Sequence, residues 1–524
     1  GAAGWISDFN FLEEYYEAEW EEGYEQRTWL DLRRPIDNRQ WRLLTSLRVD
    51  PFLTQSEWWP RLDHHWIAQP LLRDALSWYE HSSIAYVRQN LPAAPTGDNI
   101  RGTANPGQGY SLWTLLPYEN NVIGERLVTR QEIDLPFQAG PVKLVPYALG
   151  ELGHWGQDLG GADPSNTQLR TPSSIDRAYG QVGVRSSLPF WTADNTVESR
   201  LWNLHGLAHK VILEAEFSYA EATKSFDQFP LYDQLDDDTI NQYRRNIAYF
   251  DFRNNSPIFA GLNTPNPYYA QHPFDFPGAG YNNGRFDPRT YAIRRGIGSW
   301  VTGPSEVVND LTAFRVGARQ RWQTKRGPYG NRRIVDWIVF DIDGEFFPKT
   351  SQNFGQVLGL WQYDFRWHIG DRTTILSTAD VDFFSLGQQL YTVGALLNRS
   401  ARGSLYMGYQ SFSGPINASV LTGSYTYRMS PKWASSFGSS VDLTGANIGQ
   451  RFQLVRIGES FLMSFGFNVD YSRNNVGVTF AIEPRFLSGT QFAGSPGPSD
   501  SAAGTSAFGG APGGAPIAGA YGLE

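Results

Sequence analysis

Three groups of residues have types that do chemistry. Asp63-His64-His65 carries the donor atoms of a transition-metal site. Successive residues on a strand point to opposite faces, so His64 and His65 do not converge on one ion. The segment, which follows Pro60, reads as a solvated loop or strand end. Asp236-Asp237-Asp238 offers carboxylates to calcium but lacks the spaced D-x-D-x-D-G order of a built loop, and reads as a solvated acidic turn. Arg315, Arg319 and Arg321 fall on one face of an alternating segment at 311–323. Either they line an aqueous interior that carries an anionic substrate, or they pair with carboxylates such as Asp364 or Glu214 and brace the wall. Half-buried charges need partners, which favours bracing. There is no G-x-S-x-G elbow, H-E-x-x-H helix, Walker loop or dinucleotide fingerprint, so no catalytic residue, metal or cofactor is assigned. The many carboxylates leave a glycosidase pair open.

The elements that must position such residues are strands. Period-two alternation is the mark of a strand with two different faces. In WQYDFRWHI at 361–369, Trp361, Tyr363, Phe365, Trp367 and Ile369 share one face, with Gln362, Asp364, Arg366 and His368 opposite. FLMSFGFNVDY at 461–471 alternates likewise, with Leu462 the exception. At 476–483, Val476, Val478, Phe480 and Ile482 alternate with Gly477, Thr479, Ala481 and Glu483. At 211–219, Val211, Leu213, Phe217 and Tyr219 alternate with Ile212, Glu214, Glu216 and Ser218. A soluble sandwich also alternates, but its packed face prefers aliphatics. Here that face is rich in Trp, Tyr and Phe, and the other carries Asp, Glu, Arg and Gly, as in a membrane barrel with a wet lumen.

Composition agrees. The 524 residues include 18 Trp, 26 Tyr and 32 Phe, yet mean hydropathy is negative. No run reaches the ~18 apolar residues of a transmembrane helix. The net charge of −9 argues against nucleic acid as a partner. Cysteine is absent, which removes disulfide and thiolate chemistry. The opening GAAGWISDFN lacks the basic start and apolar core of a signal peptide, so an exported protein would have this as a mature form or internal fragment. Turn signals at Gly370-Asp371, Ser430-Pro431-Lys432 and Asn474-Asn475 punctuate the strands. At ~10 residues per strand the expectation is an all-β, large antiparallel transmembrane β-barrel of about 16–22 strands over residues 1–487. Residues 11–25 read as a short acidic helix in an early loop, 223–290 as a long surface loop, and 488–524, rich in Gly, Ala, Pro and Ser, as a flexible tail.

Several distinctive segments follow one another along the chain. They are WISDFNFLEEYY at 5–16 and TQSEWWPRLDHHWIAQPLL at 54–72, the latter centred on Trp58, Trp59, Pro60, Arg61 and Leu62. TRQEIDLPFQAGPVKLVPYALGEL at 129–152 follows, with Arg130, Pro136, Pro141 and Pro146. HKVILEAEFSYAEA at 209–222 precedes QFPLYDQLDD at 228–237, with Phe229, Pro230, Tyr232 and Asp233. NVGVTFAIEPRFLSG closes the order. In these segments, at these residues and in this order, the sequence resembles the LptD family of lipopolysaccharide-assembly outer-membrane proteins (the organic solvent tolerance family), the last segment resembling its terminal strand.

The resemblance implies a non-enzymatic translocon in the cell outer membrane. It would receive lipopolysaccharide or a related glycolipid from a periplasmic LptA-like bridge and release it among outer-membrane lipids through a lateral opening. An LptE-like lipoprotein would plug the lumen. Val476, Val478, Phe480, Ile482, Pro484 and Phe486 of the last strand would form one wall of that gate, with Pro484 removing one ladder donor. Arg315, Arg319, Arg321, Asp364, Arg366, His368, Glu214 and Glu216 are the candidate lumen-facing groups. The family's N-terminal jelly-roll and first barrel strands are not recognisable in the sequence, and its disulfides have no cysteine here. Two other classes fit the composition: another wide outer-membrane channel, such as a porin or polysaccharide exporter, and a soluble carbohydrate-active β enzyme.

Overall fold

A computed structural model describes residues 1–6, 27–51, 54–91, 119–159, 161–163, 166–170, 172–233, 235, 287–296, 305–328, 330–384, 387–398, 402–413, 417–443, 448–471 and 475–484. The strands are β1 (Thr28–Ile36), β2 (Arg39–Leu47), β3 (Gln55–Leu71), β4 (Leu76–Asn90), β5 (Val122–Asp134), β6 (Phe137–Ala139), β7 (Val142–Trp155), β8 (Gly161–Asp163), β9 (Asn166–Arg170), β10 (Ile175–Ser199) and β11 (Leu204–Ala222). After a short helix, α1 (Pro288–Arg294), come β12 (Leu311–Arg326), β13 (Arg333–Phe346), β14 (Leu358–Ile369), β15 (Thr373–Asp382) and β16 (Gln389–Asn398). The last are β17 (Gly403–Ser413), β18 (Ala418–Ser430), β19 (Trp433–Asp442), β20 (Ile448–Ile457), β21 (Phe461–Asp470) and β22 (Asn475–Pro484).

Apart from the β8–β9 ribbon, these strands form one 20-stranded sheet in which every pairing is antiparallel. It is a meander: each long strand pairs with the next, and β6 only extends the β5–β7 hairpin. The strand number lies within the range expected from the sequence. Connections differ between the two ends. One end has short turns, at 37–38, 72–75, 200–203, 370–372 and 431–432. At the Gly370 turn φ is +70°, a left-handed conformation that favours glycine. The other end carries the long connections, 91–121, 156–174 and 223–310.

The two faces invert the pattern of a soluble protein, in which charges are the residues left outside. In β5, Ile123, Leu127 and Ile133 are exposed, while Arg126 and Arg130 between them are each 1% exposed. Ile84 and Tyr86 of β4, Leu152 of β7 and Val182 of β10 continue the exposed apolar face. Val393, Met407, Leu421, Phe465 and Phe480 carry it across β16–β22. A sheet that turns apolar side chains outward and seals charges inward is the wall of a transmembrane barrel. Among the described residues no helix is long and apolar enough to cross a membrane, as the sequence also indicated.

Two expectations are corrected. Asp63-His64-His65 is not a solvated loop or strand end but the middle of β3, with Asp63 fully buried. The 223–290 segment is not simply a surface loop. Its described start, 223–233, and its end with the continuation to β12, 287–296 and 305–310, lie against the charged face. Phe229, Leu231, Tyr232, Arg289, Arg294, Glu306, Val307 and Val308 are all buried there. Proline and asparagine density signals irregular backbone, not exposure, and buried charged partners on the wall override the usual surface position. The acidic helix at 11–25, Asp236-Asp237-Asp238, Phe486 and the 488–524 tail lie outside the described residues.

Candidate functional site: the charged inner wall

The site is built on β3, β4, β5, β7 and β10, neighbouring strands that all turn polar side chains to the buried face. A register shift between Trp58 and Arg61 makes this possible on β3. Trp59-Pro60 is accommodated there, so Trp58 and Arg61 both point inward although they are three positions apart. Simple alternation would separate them. The Arg61 guanidinium then lies over the Trp58 ring, 4.8 Å from its centroid. On β7, Gly153 leaves room for the Trp155 indole to fold back over it; a Cβ at that position would collide with the ring.

Four arginines anchor the wall. Arg61 Nε donates to Asp63 Oδ1 at 2.8 Å, and His81 shares the same oxygen at 3.0 Å. Arg130 Nε and Arg177 Nη2 both donate to Glu151, each at 2.8 Å. Arg126 reaches across to the β11–β12 connection: its Nε donates to Glu306 Oε1 at 2.7 Å and its Nη2 to Asp233 Oδ2 at 3.1 Å. Arg61 Nη1 donates to the other Asp233 oxygen, and Arg177 to the Ser305 carbonyl. Trp155 Nε1 also donates to Glu306, at 3.1 Å. Phe229 closes the cluster from the connection's side, 4.6 Å from the Trp155 ring and 4.5 Å from the Arg177 guanidinium.

The second anchor of the connection is α1. Asp287 caps it by accepting from Arg289 N at 2.9 Å, and Pro288 follows at a position where its missing N–H costs nothing. Arg294 at its end donates to Asp382 Oδ2 at 2.7 Å and to Asn353 Oδ1 at 2.9 Å, both buried.

Further round the sheet the charged face opens. Arg319 contacts Asp343 at 2.6 Å and Glu214 at 3.4 Å. Arg315 lies 3.6 Å from Glu216 and 3.5 Å from Glu345, and Arg321 lies 3.3 Å from Asp341. Asp364 is paired with Arg366 at 2.9 Å, not with the arginine stripe. His368 Nδ1 is 2.9 Å from Thr374 Oγ1. Apart from Glu345, which is buried, these side chains are partly exposed, so the sequence-predicted group forms an alternating cation–carboxylate ladder at the edge of solvent. On β16–β22 the inner face changes again, to rungs such as Thr392–Gln410, Gly394–Gly408, Thr422–Ser440, Ser424–Gly438 and Gly466–Thr479. Val476, Val478, Phe480 and Ile482 point the other way and are 53–78% exposed.

Sequence reasoning singled out the ladder but missed the buried cluster of Arg126, Arg177, Glu151 and Glu306. A usable signal existed on β5, where Arg126 and Arg130 share a face opposite Ile123 and Leu127. Glu306 lies at a distance of 180 residues from its partner, and nothing local announces that contact.

The chemistry of such a wall is electrostatic: it holds fixed charges and offers hydrogen bonds. Asp233, outside the strands, illustrates it. Burial pushes its carboxyl up, but Arg61 and Arg126 more than reverse this and hold it below the ordinary carboxylate range. A depressed folded-state value contributes stability above the unfolded pKa of about 3.9, and that contribution is lost as pH falls through the folded value. Acidification below about pH 4 is therefore expected to loosen the 223–233 segment from the wall. An acid titration of tryptophan fluorescence checks this, since Trp58 and Trp155 report the contact. Asp233→Asn should lack the transition; a variant that retained it unchanged would remove Asp233 from the explanation.

Neither a protein-family model nor any curated protein matches the sequence. Among solved structures, the chain is similar to the siderophore receptor PirA from Acinetobacter baumannii, at 10% identity over 89% of this chain and 68% of that one, TM-score 0.33. It is similar to the ferric enterobactin receptor PfeA from Pseudomonas aeruginosa, at 7% identity over 84% of this chain and 65% of that one, TM-score 0.35. It is also similar to a KdgM porin, at 12% identity over 33% of this chain and 98% of that one, TM-score 0.18.

Proposed function

We propose that this chain is a non-enzymatic transport barrel of the outer membrane, and that its cargo is lipopolysaccharide or a related glycolipid released sideways into the membrane. The observation that carries the reading is the seam. Eighteen successive antiparallel steps link β1 to β22, so these two strands run in the same direction. The antiparallel ladder that joins every other pair is not open to them. Among the described residues no pairing connects them. An amphipathic cargo needs such a place: its polar head stays with the hydrated inner face while its chains reach lipid, at a site where fewer ladder bonds resist opening. Val478 on β22 stands at the lipid side of that seam, 78% exposed. Pro484 at its end contributes no ladder donor. By the rule that barrel turns are short on the periplasmic side, the long connections face outward. An LptE-like plug and an LptA-like bridge belong to the same proposal.

A second reading is an aqueous channel for hydrophilic solutes. The Ser-, Thr- and Gly-lined rungs of β16–β22 favour it, because they offer hydroxyls to water, and Tyr406, whose ring lies over Gly394 and Gly408, adds a phenol to the same face. One experiment separates the two. A photo-crosslinking residue at Val478, in protein reconstituted with lipid A-containing vesicles, is expected to capture lipid A. The same residue at Met407, exposed in mid-wall on β17, serves as the control. Equal capture at both positions, with steady ion conductance across a planar bilayer, would favour the channel and retire lateral release.

A further inference from the structure

The four-arginine wall has an excess of positive charge that the β11–β12 connection cancels. Arg61, Arg126, Arg130 and Arg177 face two wall carboxylates, Asp63 and Glu151. That leaves two positive charges over. Asp233 and Glu306, the two carboxylates of the connection that contact these arginines among the described residues, neutralise them. All four arginines are at most 7% exposed, and among the described residues two nitrogens of Arg177, Nε and Nη1, have no hydrogen-bond partner. Guanidiniums clustered in a water-poor pocket, part of their donor capacity unused, are a geometry suited to phosphate, which accepts several charge-assisted bonds at once.

We propose that this wall is a binding site for phosphate-bearing groups and that Asp233 and Glu306 occupy it as internal substitutes for that ligand. Each carboxylate does what a phosphate oxygen would do: Asp233 bridges Arg61 and Arg126, and Glu306 takes Arg126 together with the Trp155 indole N–H. A phosphorylated cargo entering the lumen competes for the same guanidiniums and displaces the connection from the wall. The site follows from the charges alone. Its use in handling cargo rests on the transport reading above, and binding is measured without transport so that the two ideas fail separately.

The test uses the full chain in detergent, with retained fold verified by heat-dependent gel mobility. Binding of inorganic pyrophosphate and of lipid A micelles is compared between the unaltered chain and Asp233→Asn/Glu306→Gln. The expected result is a gain of about tenfold or more in affinity when the internal carboxylates are neutralised, abolished again by adding Arg126→Gln. A gain for both ligands assigns the site to phosphate in general; a gain for lipid A alone assigns it to a phosphorylated lipid headgroup. No gain for either ligand, in a folded double variant, overturns the proposal. So does a gain that survives Arg126→Gln. If the double variant does not fold, Asp233→Asn alone carries the same expectation with a smaller gain, because Asp233 is at the rim of the cluster with its side chain 21% exposed.

Discussion

Arg126→Ala is expected to destabilise the folded barrel by about 3–5 kcal/mol, the range for removing one member of a buried ion pair. The magnitude comes from what is left behind. Arg126 is 1% exposed and donates to Glu306, Asp233 and Ser83. Glu306 is equally buried; among the described residues its second carboxylate oxygen has no hydrogen-bond partner, and without Arg126 the Trp155 indole is the one donor left to it. Most of the loss is therefore the cost of an uncompensated carboxylate, not the worth of the pair. Two comparisons follow. Arg126→Ala/Glu306→Gln should cost clearly less than the sum of its single variants, because the second change removes the charge that the first stranded. Arg319→Ala, whose partners are half-exposed, should cost about 1 kcal/mol or less. Urea unfolding in lipid vesicles reads all of these. A loss for Arg126→Ala no larger than for Arg319→Ala would mean that the connection is not seated on the wall as described.

The contrast between those two arginines also measures what was legible in the sequence. Strand alternation in 361–369, 461–471 and 476–483 is a local signal, set by backbone geometry alone, and it leads directly to the antiparallel meander. The Arg315–Arg319–Arg321 stripe could be read for the same reason, because neighbouring strands bring Glu214, Asp341 and Asp343 alongside in register. The buried cluster could not. Its partners come from β3, β5, β7, β10 and a connection more than eighty residues long, and such contacts depend on tertiary closure. Arg61, Arg130, Phe229, Tyr232 and Asp233 were each conspicuous as parts of separate sequence words. Nothing in the one-dimensional pattern said that Arg61 and Asp233 touch. The register shift at Trp59-Pro60 hid the relation further, since strict alternation places Trp58 and Arg61 on opposite faces. Asp63-His64-His65 departs from expectation for a different reason: a proline ordinarily interrupts a ladder, whereas here the register shift at Trp58/Arg61 absorbs Pro60 and β3 continues through it.

Phe465→Arg tests the assignment of the two faces themselves, and its expected cost is about 2–4 kcal/mol in lipid. Phe465 lies at the centre of β21, is 46% exposed, and packs its ring 4.8 Å from Phe480 of β22. In water, an exposed phenylalanine replaced by arginine changes stability by about 0.5 kcal/mol or less, because the charge is solvated where it stands. In a membrane the same position meets hydrocarbon, and the guanidinium must reach the interface or draw water inward. Ser464→Arg, one residue away, points to the opposite face, across from Val455 and Ala481 and beside the Gly466–Thr479 rung, and its half-exposed position leaves the long side chain a route to water. The pair thus has the same added charge, the same strand and nearly the same depth, and differs only in direction. A penalty confined to Phe465→Arg, measured by unfolding in vesicles, is what a wall between lipid and lumen requires. Equal effects at the two positions would mean that both faces meet water, and the exposed apolar band from Ile84 to Ile482 would then need a protein partner to cover it, not a membrane.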